Sequence, residues 1–580
     1  MTILEILNNF KKILENNEIS KIKKIIFLLF FSLILETLSI SSLIPLISFI
    51  AAPEILLSKI NQLNIVNGKL SNFFITEDKT TILFYLSLFT VLVFGIKNFS
   101  IILINKYKEK FFAKLNANLS SRIYSSYLNS NYKFFLKNNS SRVVRNLVTE
   151  IPNIINLLNL IFLIIIDLGL ILCLSALIIF FNFKIYLLVM SFLIFFGIIY
   201  VRYFKEIITI AGAKRQLFQG RYIRTITETF ALSNYIKIEK LSNFFENIFT
   251  NLAFKFNNAN LKRQIILLYS RNILEFSLIL FIAFSLGYLI DVYQDLDKVQ
   301  LFLAVILLIV IRLSPSFLRI INSINNIRFV VVSITEVNKI RILLKHNKLK
   351  DDEKLKLKLK LKNIKFQKVN FKFDGEKNFV FENLNLNLLA DDKICIIGET
   401  GSGKSTFLNL ILGLIKPTTG KILINDKNVE LFKLNNIVSY VPQKIILFED
   451  TIKKNILFNK KDDDISNEDF KKCIDDANLR SFIDSKNRKE NFLLLEDGKN
   501  ISVGQKQRIG IARSIISETD ILILDEATSS LDIKNENMIF KKLIKRFRNK
   551  MIICVTHHLS NLKYFDKVFK VEKGKLIKIK

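Results

Sequence analysis

The sequence predicts a chain of two parts: an all-α domain of six membrane-crossing helices, then an α/β domain of P-loop type. Three observations carry that prediction. Six long apolar runs recur through the N-terminal half. A glycine-rich loop at residues 398–406 lies between a strand-like and a helix-like run. A second strand-like run, residues 521–524, ends on Asp525 and Glu526.

The apolar runs fall at about residues 25–50, 81–105, 154–181, 185–203, 265–290 and 299–317. Each can cross a hydrocarbon core of about 30 Å as a helix. Buried helices of a large soluble domain are the alternative, but those seldom exceed about 20 residues or recur so often. The first run is too long for a cleaved signal and lacks a small-residue cleavage site. Residues 3–14 are amphipathic, so residues 1–24 are expected to form an interfacial helix ahead of the first span. The expected boundaries are a membrane domain at 25–322, a basic helical linker at 323–353 and the nucleotide domain at 354–580. That last domain opens on the Lys/Leu alternation of residues 354–362, whose period of two reads as a strand.

Charge orients the spans. The connections at 106–153 and 202–263 are crowded with bases and belong in the cytoplasm, whereas the connection holding Asp291, Asp295 and Asp297 is acidic and belongs outside. Both ends are then cytoplasmic. The two basic connections are also too long for loops and mix apolar with charged residues at helical spacing, so spans two to five are expected to continue as helices beyond the bilayer. A net charge of +33 has this membrane explanation, and no nucleic-acid-binding module accompanies it. No nucleic-acid partner is therefore expected.

The loop Gly398, Glu399, Thr400, Gly401, Ser402, Gly403, Lys404, Ser405, Thr406 is built to cradle phosphate. Its glycines let successive backbone N–H groups turn inward, Lys404 adds a point charge, and the Ser405 hydroxyl can hold magnesium. The run at 521–524 delivers two carboxylates to the C-terminal edge of a parallel sheet, where such sheets bind ligands. There Asp525 is read as a magnesium ligand and Glu526 as the group that polarises the attacking water.

Between these motifs lies Ile501-Ser-Val-Gly-Gln505, which resembles the signature of the ATP-binding cassette family, usually Leu-Ser-Gly-Gly-Gln. The resemblance implies that Ser502, Val503, Gly504 and Gln505 complete a nucleotide site, with Val503 and Ile501 the departures. It also implies that Gln443 senses magnesium, Asp532 belongs to the D-loop, His557 is the switch histidine and Phe373 stacks on adenine. Read alone, Phe373 fits a half-buried strand equally well, and His557 a structural role. A β-branched residue at 503 restricts the backbone where the family has glycine, so altered hydrolysis geometry is expected. ATP and Mg²⁺ are the implied cofactors. The order of parts resembles type I exporters, with helices extended into the cytoplasm.

At 580 residues without a detectable repeat, the chain has room for one membrane domain and one cassette. The resemblance then implies a half-transporter working as a homodimer, because the signature completes the site of the opposite cassette. Cys173, Cys395, Cys473 and Cys554 have no metal-binding spacing and indicate neither disulfide nor metal.

In the membrane half, Arg312-Leu-Ser-Pro-Ser-Phe-Leu-Arg-Ile320, Lys97-Asn, Ser270-Arg-Asn-Ile-Leu-Glu275 and Glu36 resemble patterns of bacterial lipid-linked oligosaccharide flippases of the PglK type. The resemblance implies an inner-membrane transporter for a pyrophosphate-linked oligosaccharide, with an external helix near residues 60–74. Arg312 and Arg319 are seven residues apart and share nearly one helical face, with Pro315 between them. With Lys97 and Arg271 they are expected to line a cationic chamber, since arginine grips phosphate bidentately. The bland alternative is that Lys97 snorkels to the interface and that Arg271 and Arg319 belong to cytoplasmic extensions. Export of a lipid A-type glycolipid, a drug or a peptide remains open, as does a nucleotide-gated channel or regulator.

Overall fold

A computed structural model of the chain describes residues 3–43, 45–46, 79–181, 183–293, 296–347, 360–427, 437–458, 460 and 465–580. It divides into two units, one of Met1–Ser130 with Phe135–Lys348 and one of Asn131–Phe134 with Leu349–Lys580.

Hydrocarbon leaves a backbone no partner but itself, so apolar runs of this length fold as helices. The first unit holds α1 (Ile3–Ile13), α2 (Asn16–Ser41), α3 (Lys79–Leu128), α4 (Ile151–Phe181), α5 (Phe183–Ala231), α6 (Ser242–Tyr293) and α7 (Leu296–Asn347). At 1.5 Å per residue, α3, α5, α6 and α7 reach about 75 Å, more than twice the hydrocarbon core. Five of the described helices are long and apolar enough to cross a membrane. Their outer faces present Phe27, Phe99, Ile198, Phe276 and Phe284, each more than half exposed, a surface that only lipid or protein tolerates.

Helix α2 packs on α3 and α4, and α7 packs on α4, α5 and α6. Small residues set how closely these helices approach. Gly169 of α4 lies under Leu33 of α2, and Gly197 of α5 under Phe317 of α7. Gly212 of α5 meets the Phe329 backbone carbonyl of α7, where an added Cβ would collide. One detail differs from expectation. Residues 1–24 are not one helix: α1 stops at Ile13 and α2 starts at Asn16, because Glu15 and Glu18 form a capping box. Helix α7 runs unbroken from the last span to Asn347, with Pro315 inside it. The expected external helix at 60–74 and strand residues 354–359 lie outside the described residues.

The second unit carries two sheets. Strands β1 (Asn363–Phe371), β2 (Phe381–Leu389) and β4 (Thr419–Ile424) form an antiparallel sheet in the order β2-β1-β4. Strands β3 (Lys393–Ile397), β5 (Val438–Val441), β6 (Ile521–Asp525), β7 (Met551–Val555), β8 (Lys567–Glu572) and β9 (Lys575–Lys578) form the other, in the order β5-β6-β7-β3-β8-β9, parallel except for β9. Strands β6 and β7 are buried at every position, which explains why they read as unbroken apolar runs. Helices α8 (Lys404–Leu412), α9 (Val503–Ile515) and α10 (Ile533–Arg546) complete this core, with Phe407, Ile511 and Phe540 fully buried.

Candidate functional site

The phosphate loop joins β3 to α8. Gly398, Gly401 and Gly403 take φ of 154°, 83° and 107°, conformations that side chains resist. At Gly403 a Cβ would also press on Val380 and Phe381, so the loop is glycine by necessity. Gly403 caps α8, whose first N–H groups open toward the loop. The Lys404 ammonium donates to the carbonyls of Gly398 at 2.8 Å and Glu399 at 3.0 Å, which fixes it over the cradle. The Ser402 hydroxyl is buried and has no hydrogen-bond partner among the described residues, an orphan in a loop shaped for an anion.

Register places the acidic pair. Asp525 of β6 is the partner of Val555 of β7, so the residues that follow them, Glu526 and the pair Thr556–His557, emerge side by side. The Glu526 N–H donates to the Val555 carbonyl at 3.0 Å, and Glu526 itself adopts φ 50°, a costly conformation for a non-glycine residue. Its carboxylate accepts from Gln443 Nε2 at 2.7 Å and lies 3.0 Å from His557 Nε2. Asp525 accepts from the Tyr440 hydroxyl at 3.1 Å, and burial raises its pKa above the ordinary value, with Glu526 adding to the rise. The structure thus brings Gln443, Asp525, Glu526 and His557 together. Oxygen donors from Ser405, Gln443 and Asp525 form a hard set that fits magnesium.

The remaining predicted residues lie nearby in the fold but have other neighbours. Ser502 caps α9, accepting from the Gln505 N–H at 3.2 Å, while the Gln505 side chain accepts from the Ser502 N–H at 3.0 Å. Val503 is 60% exposed on the first turn. Gly504 lies against Leu531 and the Ser530 carbonyl, tying this helix start to the D-loop. Asp532 caps α10 through the Asn535 N–H at 3.2 Å, and hydrogen bonds from the Asn535 side chain first and that N–H second hold its pKa below the ordinary range. Phe373 is 40% exposed, edge-on to Phe371 at 5.1 Å, and so presents a free ring face.

Sequence reasoning gave no role to Tyr440 or Gln507. Gln507 donates to the Ser529 hydroxyl at 3.2 Å and accepts from the Ser530 N–H at 3.1 Å, linking α9 to the D-loop. Neither residue type signals such a role by itself; only the register of β5 beside β6 brings Tyr440 to Asp525.

In the membrane unit, three of the cations expected to line a chamber stand beside carboxylates. Lys97 lies 4.0 Å from Glu36, Arg271 lies 2.9 Å from Glu275, and Arg319 grips Asp167 with Nε at 2.9 Å and Nη2 at 2.5 Å. Three cations therefore meet three carboxylates, because a bare charge in hydrocarbon is too costly to leave unpaired. Glu36 is also close enough to act electrostatically on Arg319, so Lys97, Glu36, Arg319 and Asp167 form one polar set. Arg271 stands apart on an exposed face of α6. The Arg312 side chain lies outside the described ones. Asp167 was missed, although it is the one acid in the apolar run of α4, a signal that an intramembrane site should raise.

The family model described as ABC transporter matches residues 381–529. The chain is 36% identical over 217 residues to an ATP-dependent lipid A-core flippase of Wigglesworthia glossinidia brevipalpis, an alignment covering 37% of each. It is 30% identical over 247 residues to the glutathione/L-cysteine transport system ATP-binding/permease protein CydC of Haemophilus influenzae, covering 42% of each. The chain thus spans 37% to 42% of the length of these curated relatives. Its structure resembles that of a bacterial Atm1-family ABC exporter with ATP bound, with a TM-score of 0.76 at 19% identity over 97% of this chain and 94% of that one. Fold and matched domain together define a multi-pass membrane protein with an ABC exporter fold. The segment that matches the ABC transporter model lies within the second unit, after the apolar helices of the first.

Proposed function

We propose that two copies of this chain form an ATP-driven exporter of the bacterial inner membrane, with the cassettes in the cytoplasm, moving a phosphorylated amphipathic substrate. A pyrophosphate-linked oligosaccharide is the substrate we favour. The observation that carries the ATPase reading is the convergence of Gln443, Asp525, Glu526 and His557 at the carboxyl edge of the parallel sheet that also bears the phosphate loop. Phosphoryl transfer needs positioning and charge stabilisation more than covalent chemistry, and these residues are acceptors and donors of that kind.

Each residue then has a task. Lys404 and the loop N–H groups hold the β- and γ-phosphates. Glu526 accepts a hydrogen bond from the attacking water and orients it, and Gln443 and His557 hold the Glu526 carboxylate in place. Phe373 offers a ring to the adenine. Magnesium on Ser405, Gln443 and Asp525 would neutralise phosphate charge when bound. Ser502, Gly504 and Gln505 reach the nucleotide of the second copy.

Support for an anionic substrate comes from Arg319 and Lys97, polar groups placed at membrane depth whose carboxylate partners a phosphate can replace. Arg319 uses Nε and Nη2 on Asp167, and Nη1 has no partner among the described residues. A lipid A-type glycolipid shares the phosphate chemistry, and relatives carry that name. The experiment is reconstitution of the chain in vesicles with a pyrophosphate-linked glycolipid, a lipid A-type glycolipid, a drug and a peptide, each assayed for ATP-dependent transfer between leaflets. Glu526→Gln should bind ATP yet lose turnover by about 10²-fold or more. Full hydrolysis in that variant would reject the catalytic assignment, and transfer of the drug or peptide alone would reject the substrate class.

A further inference from the structure

We propose that Glu536 and His558 form a positioning pair that locks the two loops around Glu526 and thereby sets the rate of hydrolysis. This rests on reading Glu526 and His557 as hydrolytic residues, and it assigns work to His558, the residue that follows His557.

Glu536 lies in the first turn of α10 and is only 1% exposed. A carboxylate so deeply buried persists only where hydrogen bonds satisfy it. Two segments supply them. The Thr528 hydroxyl donates to Glu536 Oε1 at 2.6 Å, and His558 Nδ1 lies 3.2 Å from Oε1 and 3.0 Å from Oε2. Against an ionised carboxylate, which only accepts, Nδ1 is the donor.

The sequence positions of these partners give the pair its meaning. Thr528 lies two residues after Glu526, His558 directly follows His557, and Glu536 sits one helical turn after the Asp532 cap. His557 in turn reaches Glu526 at 3.0 Å. The contacts close a ring: Glu526 to His557, along the backbone to His558, across to Glu536, to Thr528, and back along the loop to Glu526. The His558 N–H donates to the Thr556 hydroxyl at 3.0 Å, which stiffens the same turn. A closed ring fixes the separation of Glu526 and His557 more tightly than their direct contact can, and a rate that depends on oriented groups is sensitive to that separation. Because Glu536 moves with α10, a shift of the Asp532 cap is passed to His557. Neither Glu536 nor His558 touches reacting atoms, so both act through others.

Arginine at 558 would offer Glu536 a cationic N–H donor, whereas glutamine offers only a neutral amide. The test uses the full chain in lipid nanodiscs, measuring kcat and KM for ATP together with thermal unfolding. His558→Gln should lower kcat about tenfold, the scale of one charge-assisted hydrogen bond, with KM held within about twofold. His558→Arg should return kcat to within about threefold of the parent, and Thr528→Val should give a smaller loss. The proposal is overturned if His558→Gln turns over normally, if its loss lies in KM, or if His558→Arg melts like the parent yet stays as slow as His558→Gln. Should His558→Gln fail to fold, the Arg and Thr528→Val chains decide by the same readings. Continued hydrolysis by Glu526→Gln would instead remove the underlying catalytic reading, so the two failures are distinct.

Discussion

At Val503 the chain places two exposed methyl groups on the first residue of α9, directly after the Ser502 cap. In the proposed dimer this helix start approaches the γ-phosphate held by the other copy, and methyl groups there keep backbone N–H groups at a distance. Val503→Gly should therefore raise kcat about threefold in a steady-state ATPase assay, while costing only about half a kcal/mol of helix stability. A lower kcat would show that valine serves the site rather than blunting it. Asp525 makes a second test. The fold raises its pKa, chiefly through burial, so the folded state holds that proton more tightly than the unfolded chain does. The resulting stability is complete below the ordinary value of 3.8 and is lost as pH rises through the raised folded value. Asp525→Asn should thus melt at a higher temperature than the parent in the nucleotide-free state, with a gap wider at about pH 7.5 than at about pH 4.5. A gap that narrows toward neutral pH would contradict the direction of the shift. The same variant should lose magnesium-dependent hydrolysis, so activity and stability move oppositely.

Helix contacts in the membrane unit depend on what is absent as much as on what is present. Gly212 lets α5 lie against the Phe329 carbonyl of α7, an approach no larger residue permits without displacing backbone. Gly212→Ala should cost about 1–3 kcal/mol and lower Tm measurably, whereas Gly95→Ala, where an added Cβ meets nothing within 4 Å, should leave Tm unchanged or raise it. Equal effects would mean that the close approach is not what Gly212 provides. Elements of this unit were legible because hydropathy alone fixes helix type in a membrane, and the long basic connections announced the helical extensions. The α1–α2 break was hidden, since its capping box is two glutamates in a charged stretch that also suits helix. The nucleotide loop was legible for the opposite reason: glycine, lysine and serine at fixed spacing have few other uses. The Arg319–Asp167 grip was not, because 152 residues separate the partners and neither span's pattern refers to the other. The ring through Glu536 escaped for the same reason, being built from contacts between β7, α10 and the turn after β6.

One chain carries a phosphate loop set against Val380 and Val571 and a signature helix set against Ser530 and Leu531, so the two halves of an ATP site have different neighbours within it. If two copies complete each other's sites, a defect in either half should be rescued by a copy defective only in the other. Lys404→Ala chains and Ser502→Arg chains should each be inactive as purified homodimers. Co-expressed with distinct tags and isolated as the mixed dimer, they should regain part of the parental ATPase, because the intact phosphate loop of one copy then faces the intact signature of the other. A site built within one chain gives the opposite result, since every chain in the mixture carries a broken half. An inactive mixed dimer that still binds ATP at its one intact loop would therefore argue against shared sites, and with them against the proposed homodimer.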